Sequence, residues 1–122
     1  MSERLMQGKD FSLQNILEQI EYQDRRRVRK AIYLSDKLNV ELVCYKPGQF
    51  TPEHIHPSQD EFFYTVRGTG TITIDSEEHE VKEGDTLYVF EGQKHAFENR
   101  GDDDWVLMFV KSPGSTLSSL KK

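Results

Sequence analysis

Three of the chain's four histidines lie in two short segments that also contain glutamate. His54 and His56 stand two residues apart in the stretch HIHPSQDE, which ends at Glu61, and His95 lies in the stretch GQKHAFEN. Imidazole and carboxylate groups are costly to bury without a partner, and together they bind borderline divalent metals such as Fe, Mn, Co, Ni, Cu and Zn. We therefore predict one divalent transition metal ion, with His54, His56, Glu61 and His95 as its ligands.

A strand, a turn and a second strand are needed to bring these side chains together. Side chains along a strand alternate between its two faces, so His54 and His56 point the same way. Residues 57–60, PSQD, contain the proline and aspartate typical of a turn. A new strand that begins at Glu61 can then direct its carboxylate toward the histidines. The later stretch GDTLYVFEGQKHAFEN repeats this design and supplies His95.

The rest of the chain is dominated by short alternating runs. About nine such runs, separated by Gly, Pro, Asp and Asn, predict an all-β sandwich or barrel. Upstream, the stretch FSLQNILEQIEYQ predicts a short amphipathic helix with Ser12 as its N-cap. The last residues, SPGSTLSSLKK, have little to bury. We therefore divide the chain into an N-terminal helical segment (1–24), a β-barrel domain (25–111) and a flexible C-terminal tail (112–122).

The spacing of glycines, histidines and glutamate between residues 48 and 99 resembles the two sequence motifs of the cupin family. The residues that match the first motif are Gly48, His54, His56, Glu61 and Gly68. The residues that match the second motif are Gly84, Gly92, His95 and Asn99. The sequence departs from the family at one position, because Phe90 stands where the family usually has proline.

The cupin resemblance implies an antiparallel jelly-roll barrel, also called a double-stranded β-helix. It also implies a metal ion near one mouth of the barrel, bound by His54, His56, Glu61 and His95. Members of the family include dioxygenases, decarboxylases, isomerases, epimerases, lyases and domains that only bind, so the resemblance does not select a reaction.

Length and composition restrict the partners of the chain. A chain of 122 residues is long enough for one domain with one core, and its net charge of -5 disfavours nucleic acid and anionic membranes. The longest apolar run, WVLMFV, is far shorter than the roughly 18 residues of a membrane span. The sequence begins without an apolar signal core, and Cys44 is its single cysteine, so we expect a cytoplasmic protein.

Other residues that could carry chemistry have simpler interpretations. We expect His79 to be a solvent-exposed strand residue and Cys44 to be a small buried hydrophobic residue. The basic run RRRVRK, residues 25–30, is interpreted as a solvated or edge-protecting strand in preference to a nucleic-acid patch. Asn99 could form hydrogen bonds at a hairpin end or support a metal ligand, and the sequence leaves both roles open.

The strand that begins at Glu61 is apolar on both faces. Phe63 and Thr65 share the face of the proposed ligand, whereas Phe62 and every second residue after it face the other way. Both faces therefore need cover, which the N-terminal helix, a strand near residues 28–34 or a second subunit could supply. We predict a homodimer that buries at least about 1,000 Å² in total.

Four protein ligands leave two positions of an octahedral metal open for a small molecule. The leading hypothesis is a metal-dependent enzyme of the dioxygenase, isomerase or lyase class that acts on a small oxygen-rich molecule. The expected walls of its site are Phe50, Phe63, Phe97 and Phe109. The competing hypothesis is a non-catalytic binding or sensing module, and nucleic-acid binding through residues 25–30 is the third.

Overall fold

The computed structural model describes residues 5–115 and contains nine β-strands, as the alternating runs predicted. The strands are β1 (Val28–Leu34), β2 (Asn39–Tyr45), β3 (Phe50–Ile55), β4 (Asp60–Arg67), β5 (Thr69–Ile74), β6 (Glu77–Lys82), β7 (Thr86–Val89), β8 (Lys94–Glu98) and β9 (Trp105–Ser112). Alternation is clearest in β4, where Glu61, Phe63 and Thr65 are buried and the residues between them are half-buried.

The strands form two antiparallel sheets that pack face to face. One sheet has the strand order β1-β2-β9-β4-β7, and the other has the order β3-β8-β5-β6. The main apolar core lies between them and includes Tyr45, Phe63, Phe97 and Trp105. This arrangement confirms the predicted all-β fold, a jelly-roll barrel of the double-stranded β-helix type.

A second apolar cluster covers the outer face of the five-stranded sheet. Its buried residues are Val28, Ile32, Leu42, Cys44 and Val106. Ile16, Ile20 and Tyr22 from the N-terminal segment pack against this cluster. The strand that begins at Glu61 was predicted to need cover on both faces, and Val66 of that strand packs against this outer cluster. Cys44 is a buried free thiol.

The prediction of an N-terminal amphipathic helix is wrong. A single 3-10 turn, Ile16–Gln19, is the only helical element among residues 5–115, and Asn15, not Ser12, caps it by accepting a hydrogen bond from the Leu17 amide. So short a segment gains too little from helical hydrogen bonds to hold a helix in water. Contacts with the sheet determine its path instead, since Tyr33 donates to the carbonyl of Ser12 at 3.1 Å.

The chain after β9 remains packed on the barrel for a few residues. Ser115 is buried, its amide donates to the carbonyl of Ser35 at 2.6 Å, and its hydroxyl accepts from Asn39 at 2.8 Å. Residues 112–115, which we had placed in the flexible tail, are therefore anchored. The remainder of that predicted tail, 116–122, lies outside the described residues.

Candidate metal centre

The four predicted ligand residues lie at two turns that cross between the sheets. β3 and β8 are neighbours in the four-stranded sheet, and His54 stands directly opposite His95 in their register. The turn after His56 leads into β4 of the other sheet, where Glu61 is the second residue. Each sheet therefore contributes to the site, and the strand, turn and strand arrangement predicted from the sequence is confirmed.

Backbone and side-chain hydrogen bonds connect the two turns. The Gly92 amide donates to the carbonyl of His56 at 3.0 Å, and the Glu91 amide donates to the carboxylate of Asp60 at 2.9 Å. The Phe90 amide donates to the side-chain oxygen of Gln93 at 2.9 Å, a bond that proline could not form because it has no N–H. Phe90 therefore makes a turn hydrogen bond that a proline at this position would lack.

The four side chains converge on one point. His54, His56, Glu61 and His95 each offer a ligand atom, and these atoms all lie within 4.8 Å of one another. The Nε2 atom of His95 lies 2.6 Å from Oε2 of Glu61, and Nε2 of His56 lies 3.7 Å from the same oxygen. The geometry is that of a set of donors around a common centre.

Hydrogen bonds to the backbone orient two of the imidazole rings. Nδ1 of His54 lies 3.0 Å from the carbonyl oxygen of Pro52, and Nδ1 of His95 lies 3.0 Å from the carbonyl oxygen of Gln93. A neutral imidazole that donates from Nδ1 carries its lone pair on Nε2. The lone pairs of His54 and His95 are thus available to a metal ion.

Glu61 and His95 form a buried polar pair that lacks hydrogen-bond partners. Both side chains are 1% exposed, and Oε2 of Glu61 faces Nε2 of His95 at 2.6 Å. With the His95 proton on Nδ1, where it is donated to Gln93, both facing atoms are acceptors, so within residues 5–115 neither they nor Oε1 of Glu61 has a hydrogen-bond partner. Unpartnered polar atoms are rare in protein interiors because their desolvation is costly. A cation between the two groups would satisfy all three atoms, so the residues present fit a metal ion.

Burial also keeps the neighbouring histidines neutral. Desolvation lowers the pKa of His56 to about 4 and lowers the pKa of His54 as well. For Glu61, burial acts to raise the pKa, but the proximity of His95, His56 and Lys111 outweighs it and holds the pKa below its usual range. At neutral pH His54 and His56 therefore present basic nitrogen atoms and Glu61 presents an ionised carboxylate, the protonation states that metal binding requires.

A network of charged side chains on β1, β2 and β9 contacts Glu61 of the cluster through Lys111. Lys111 stands opposite Glu61 in the register of β9 and β4, with its Nζ atom 3.9 Å from Oε1 of Glu61 and 3.1 Å from Oε2 of Glu41. The other oxygen of Glu41 accepts a short hydrogen bond from Nε of Arg29. Glu41 and Lys111 are buried, so these charges are held in fixed positions.

A cavity of about 280 Å³ opens beside the two histidines of β3 and its following turn. The lining residues are Arg27, Arg29, Val43, Thr51, Pro52, His54, His56, Phe109 and Lys111. Of the four predicted aromatic walls, Phe109 lines this cavity, and the rings of Phe63 and Phe97 lie within 5.9 Å of the His95 ring. Phe50 is instead 57% exposed and is not a wall.

Two further residues singled out in the sequence lie outside the cluster. His79 is on β6, with Nε2 3.5 Å from an oxygen of Glu77. Asn99 is fully buried and bonds to backbone atoms, donating to the carbonyls of Tyr45 and Asp103. The hairpin-end role of Asn99 is therefore confirmed.

Four charged residues near the site were not among the residues predicted from the sequence. They are Arg27, Arg29, Glu41 and Lys111. Their signal was charge within alternating apolar strands, since NVELVCY and WVLMFVK each carry one charged residue, Glu41 and Lys111, at an inward position. The basic run at residues 25–30 was interpreted from its composition alone. Because side chains alternate along a strand, Arg27 and Arg29 share a face opposite to that of Val28.

The family model described as "Cupin domain" matches residues 41–111, which is more than half of the chain. The chain belongs to the cupin family. Among residues 5–115 of this cupin, no helix has the length and apolar content that a bilayer span requires.

Several named proteins share sequence with this cupin. Tetracenomycin polyketide synthase protein TcmJ of Streptomyces glaucescens is 34% identical over 67 residues, which are 55% of this chain and 45% of that protein. Mannose-1-phosphate guanylyltransferase of Escherichia coli K12 is 27% identical over 112 residues, which cover 82% of this chain and 23% of that enzyme. This cupin therefore spans about half the length of TcmJ and a smaller part of the transferase.

Solved structures share the fold at low sequence identity. The protein TT1209 of Thermus thermophilus superposes with a TM-score of 0.81 at 19% identity, covering 84% of this cupin and 98% of that chain. KdgF from Halomonas superposes with a TM-score of 0.70 at 20% identity, covering 80% of this cupin and 90% of that chain. These similarities establish the fold.

Proposed function

We propose that this cupin is a metal-dependent enzyme that acts on a small oxygen-rich molecule, with chemistry of the dioxygenase, isomerase or lyase class. The observation that carries the proposal is the buried pair of Glu61 and His95, whose facing atoms have no hydrogen-bond partner within residues 5–115. His54 and His56 complete the donor set and also line a cavity. Ligand residues that are accessible from a cavity favour a functional ion over a purely structural one.

Different residues would bind the metal ion and exclude water from the site. His54, His56, Glu61 and His95 would hold one divalent transition metal ion, which supplies Lewis acidity toward the oxygen atoms of a bound molecule. Phe63 and the neighbouring core residues exclude water behind the ligands. The names of relatives in polyketide synthesis and mannose-1-phosphate chemistry support a role with small oxygen-rich molecules.

Metal content tests the first part of the proposal. Protein purified in the presence of Fe, Mn, Co, Ni, Cu or Zn should retain about one ion per chain by elemental analysis. His56→Ala should remove most of the metal, because it leaves three ligands and a gap. His79→Ala is the matched control and should leave the metal content unchanged, because His79 lies outside the cluster. Retention of full metal content by the double change His54→Ala with His56→Ala would contradict the proposal.

Chelation separates an active-site metal from a structural one. The ligand residues are positioned by strand pairing and by backbone hydrogen bonds such as the one from Gly92 to His56. We therefore expect EDTA to remove the ion while the thermal unfolding curve keeps its cooperative transition. Loss of the folded state on chelation would instead assign the metal a structural role, in a cupin that binds or senses a ligand without catalysis.

A further inference from the structure

The charges that line the site cavity indicate the class of molecule that it binds. Three of the nine lining residues are cationic: Arg27, Arg29 and Lys111. None of the nine, all of which lie within the described range 5–115, is a carboxylate. The whole chain has 16 lysines and arginines against 21 acidic residues, so composition does not explain this concentration of positive charge.

Strand geometry holds the two arginines at the cavity. Val28, which lies between them, packs in the outer apolar cluster, so Arg27 and Arg29 project toward the opposite side. The guanidinium of Arg27 donates from Nη1 to the carbonyl of Phe50 at 3.1 Å. That bond fixes its head group beside β3, the strand that carries His54.

Two buried carboxylates, Glu41 and Glu61, lie near these cations. Arg29 and Lys111 share the single carboxylate of Glu41. Glu61 is 3.9 Å from Lys111, but it is also a member of the proposed ligand set. A divalent ion held by Glu61 would add further positive charge beside Lys111.

We propose that the site accepts a small molecule with an anionic oxygen group, carboxylate or phosphate, which Arg27, Arg29 and Lys111 orient beside the metal ligands. The inference rests on the proposed function. Guanidinium groups form paired, charge-assisted hydrogen bonds with both kinds of anion, and a cationic cavity raises the local concentration of anions. A neutral molecule of the same shape would gain neither effect.

Calorimetry on Co(II)-loaded protein can test the inference with three small probes. Lactate and lactamide have nearly the same shape and differ in charge, and methyl phosphate provides the second kind of anion. We expect at least one anion to bind about tenfold or more tightly than lactamide, as a charge-assisted hydrogen bond would produce. Comparing lactate with methyl phosphate identifies which anionic group the site prefers.

Neighbouring arginines provide a matched pair of variants. Arg27→Gln should weaken binding of the preferred anion by about tenfold. Arg26→Gln removes the same charge from an exposed residue that does not line the cavity, and it should leave anion binding unchanged. Cobalt content, measured before each titration, should equal that of the unsubstituted protein in both variants.

Two results would overturn the inference while leaving the metal proposal intact. One is equal affinity of the Co(II)-loaded protein for lactamide and for both anions, which needs no variant and so does not depend on how Arg27→Gln folds. The other is equal loss of anion affinity in Arg27→Gln and Arg26→Gln. Failure to retain cobalt and every other ion of the set Fe, Mn, Ni, Cu and Zn would instead refute the proposed function itself.

Discussion

Among individual residues, Glu41 links the cations of the cavity to the body of the barrel. Its side chain is 5% exposed and contacts both Arg29 and Lys111. Burial acts to raise the pKa of Glu41, but Arg29 and Lys111 outweigh this effect and hold the pKa below its usual range. Glu41 is therefore ionised in the folded protein and stabilises two neighbouring positive charges.

Replacing this carboxylate should make stability less dependent on pH. Glu41→Gln should lower the free energy of unfolding at pH 7 by about 2 kcal/mol, because Arg29 and Lys111 lose the carboxylate that they share. The pKa of Glu41 is lower in the folded state, so the unfolded chain binds more protons in acid. The stabilising contribution is present above the unfolded pKa and is lost as pH falls through the folded pKa.

Urea unfolding at several pH values checks this prediction. The difference in unfolding free energy between the unsubstituted protein and Glu41→Gln should shrink as the pH is lowered below the ordinary glutamate value of 4.5. Glu83→Gln is the control, since Glu83 is exposed, and it should have little effect at any pH. A difference for Glu41→Gln that stays constant from neutral to acid would show that its charge does not contribute.

Among the secondary-structure elements, the N-terminal segment acts as a cover for a sheet. Ile16 and Ile20 pack against the outer apolar cluster, whereas Phe11 and Leu13 are more than 90% exposed. The segment is held by the apolar residues that reach the sheet, and its own helical propensity contributes little. Residues from this segment are therefore part of the domain's hydrophobic packing.

Substitutions on the two faces of this segment should differ in their effect on stability. Ile20→Ala should lower the free energy of unfolding by about 1 to 2 kcal/mol, because Ile20 is partly buried against the outer cluster. Leu13→Ala, at a position that is 97% exposed, should change it by less than about 0.5 kcal/mol. Chemical denaturation of the two variants checks the prediction, and equal effects would contradict the proposed docking.

The strands and the ligand cluster were predictable from the sequence because their signals are local. Alternation of apolar and polar residues identified the strands, and motif spacing placed His54 and His95 at turns. The N-terminal helix was predicted wrongly because an apolar pattern of helical period can also dock on a sheet through a few residues. Arg29, Glu41 and Lys111 were missed because their contact depends on which strands become neighbours, and β9 lies between β2 and β4 far from either in sequence.

For the whole molecule, the outer face near β7 remains partly uncovered. Phe62 is opposite Tyr88 in the register of β4 and β7, and the Tyr88 ring lies 5.0 Å from that of Phe90. Tyr88 and Phe90 are 55% and 64% exposed. β7 is also the edge strand of its sheet. Apolar groups at a sheet edge favour association with another protein surface.

We expect this face to associate with a second copy of the chain. The prediction is a homodimer that buries at least about 1,000 Å² in total, which is the size that stable interfaces usually exceed. Sedimentation velocity at micromolar concentration should report the mass of two chains. Tyr88→Arg should shift the protein toward the monomer, whereas Leu13→Arg should not. A monomer at micromolar concentration for the unsubstituted protein would contradict the prediction.

The hydrogen bond from Gly92 to the carbonyl of His56 involves backbone atoms alone. It forms as the barrel folds, whichever ion is present, so the proposed ligands are positioned before metallation. A site positioned in this way does not reshape itself to suit one ion, and its affinities are expected to follow the Irving–Williams order, in which copper and zinc bind more tightly than manganese and iron. The ion that the protein acquires in a living cell would then be decided by the supply of each metal, and cellular metal homeostasis would become part of its specificity.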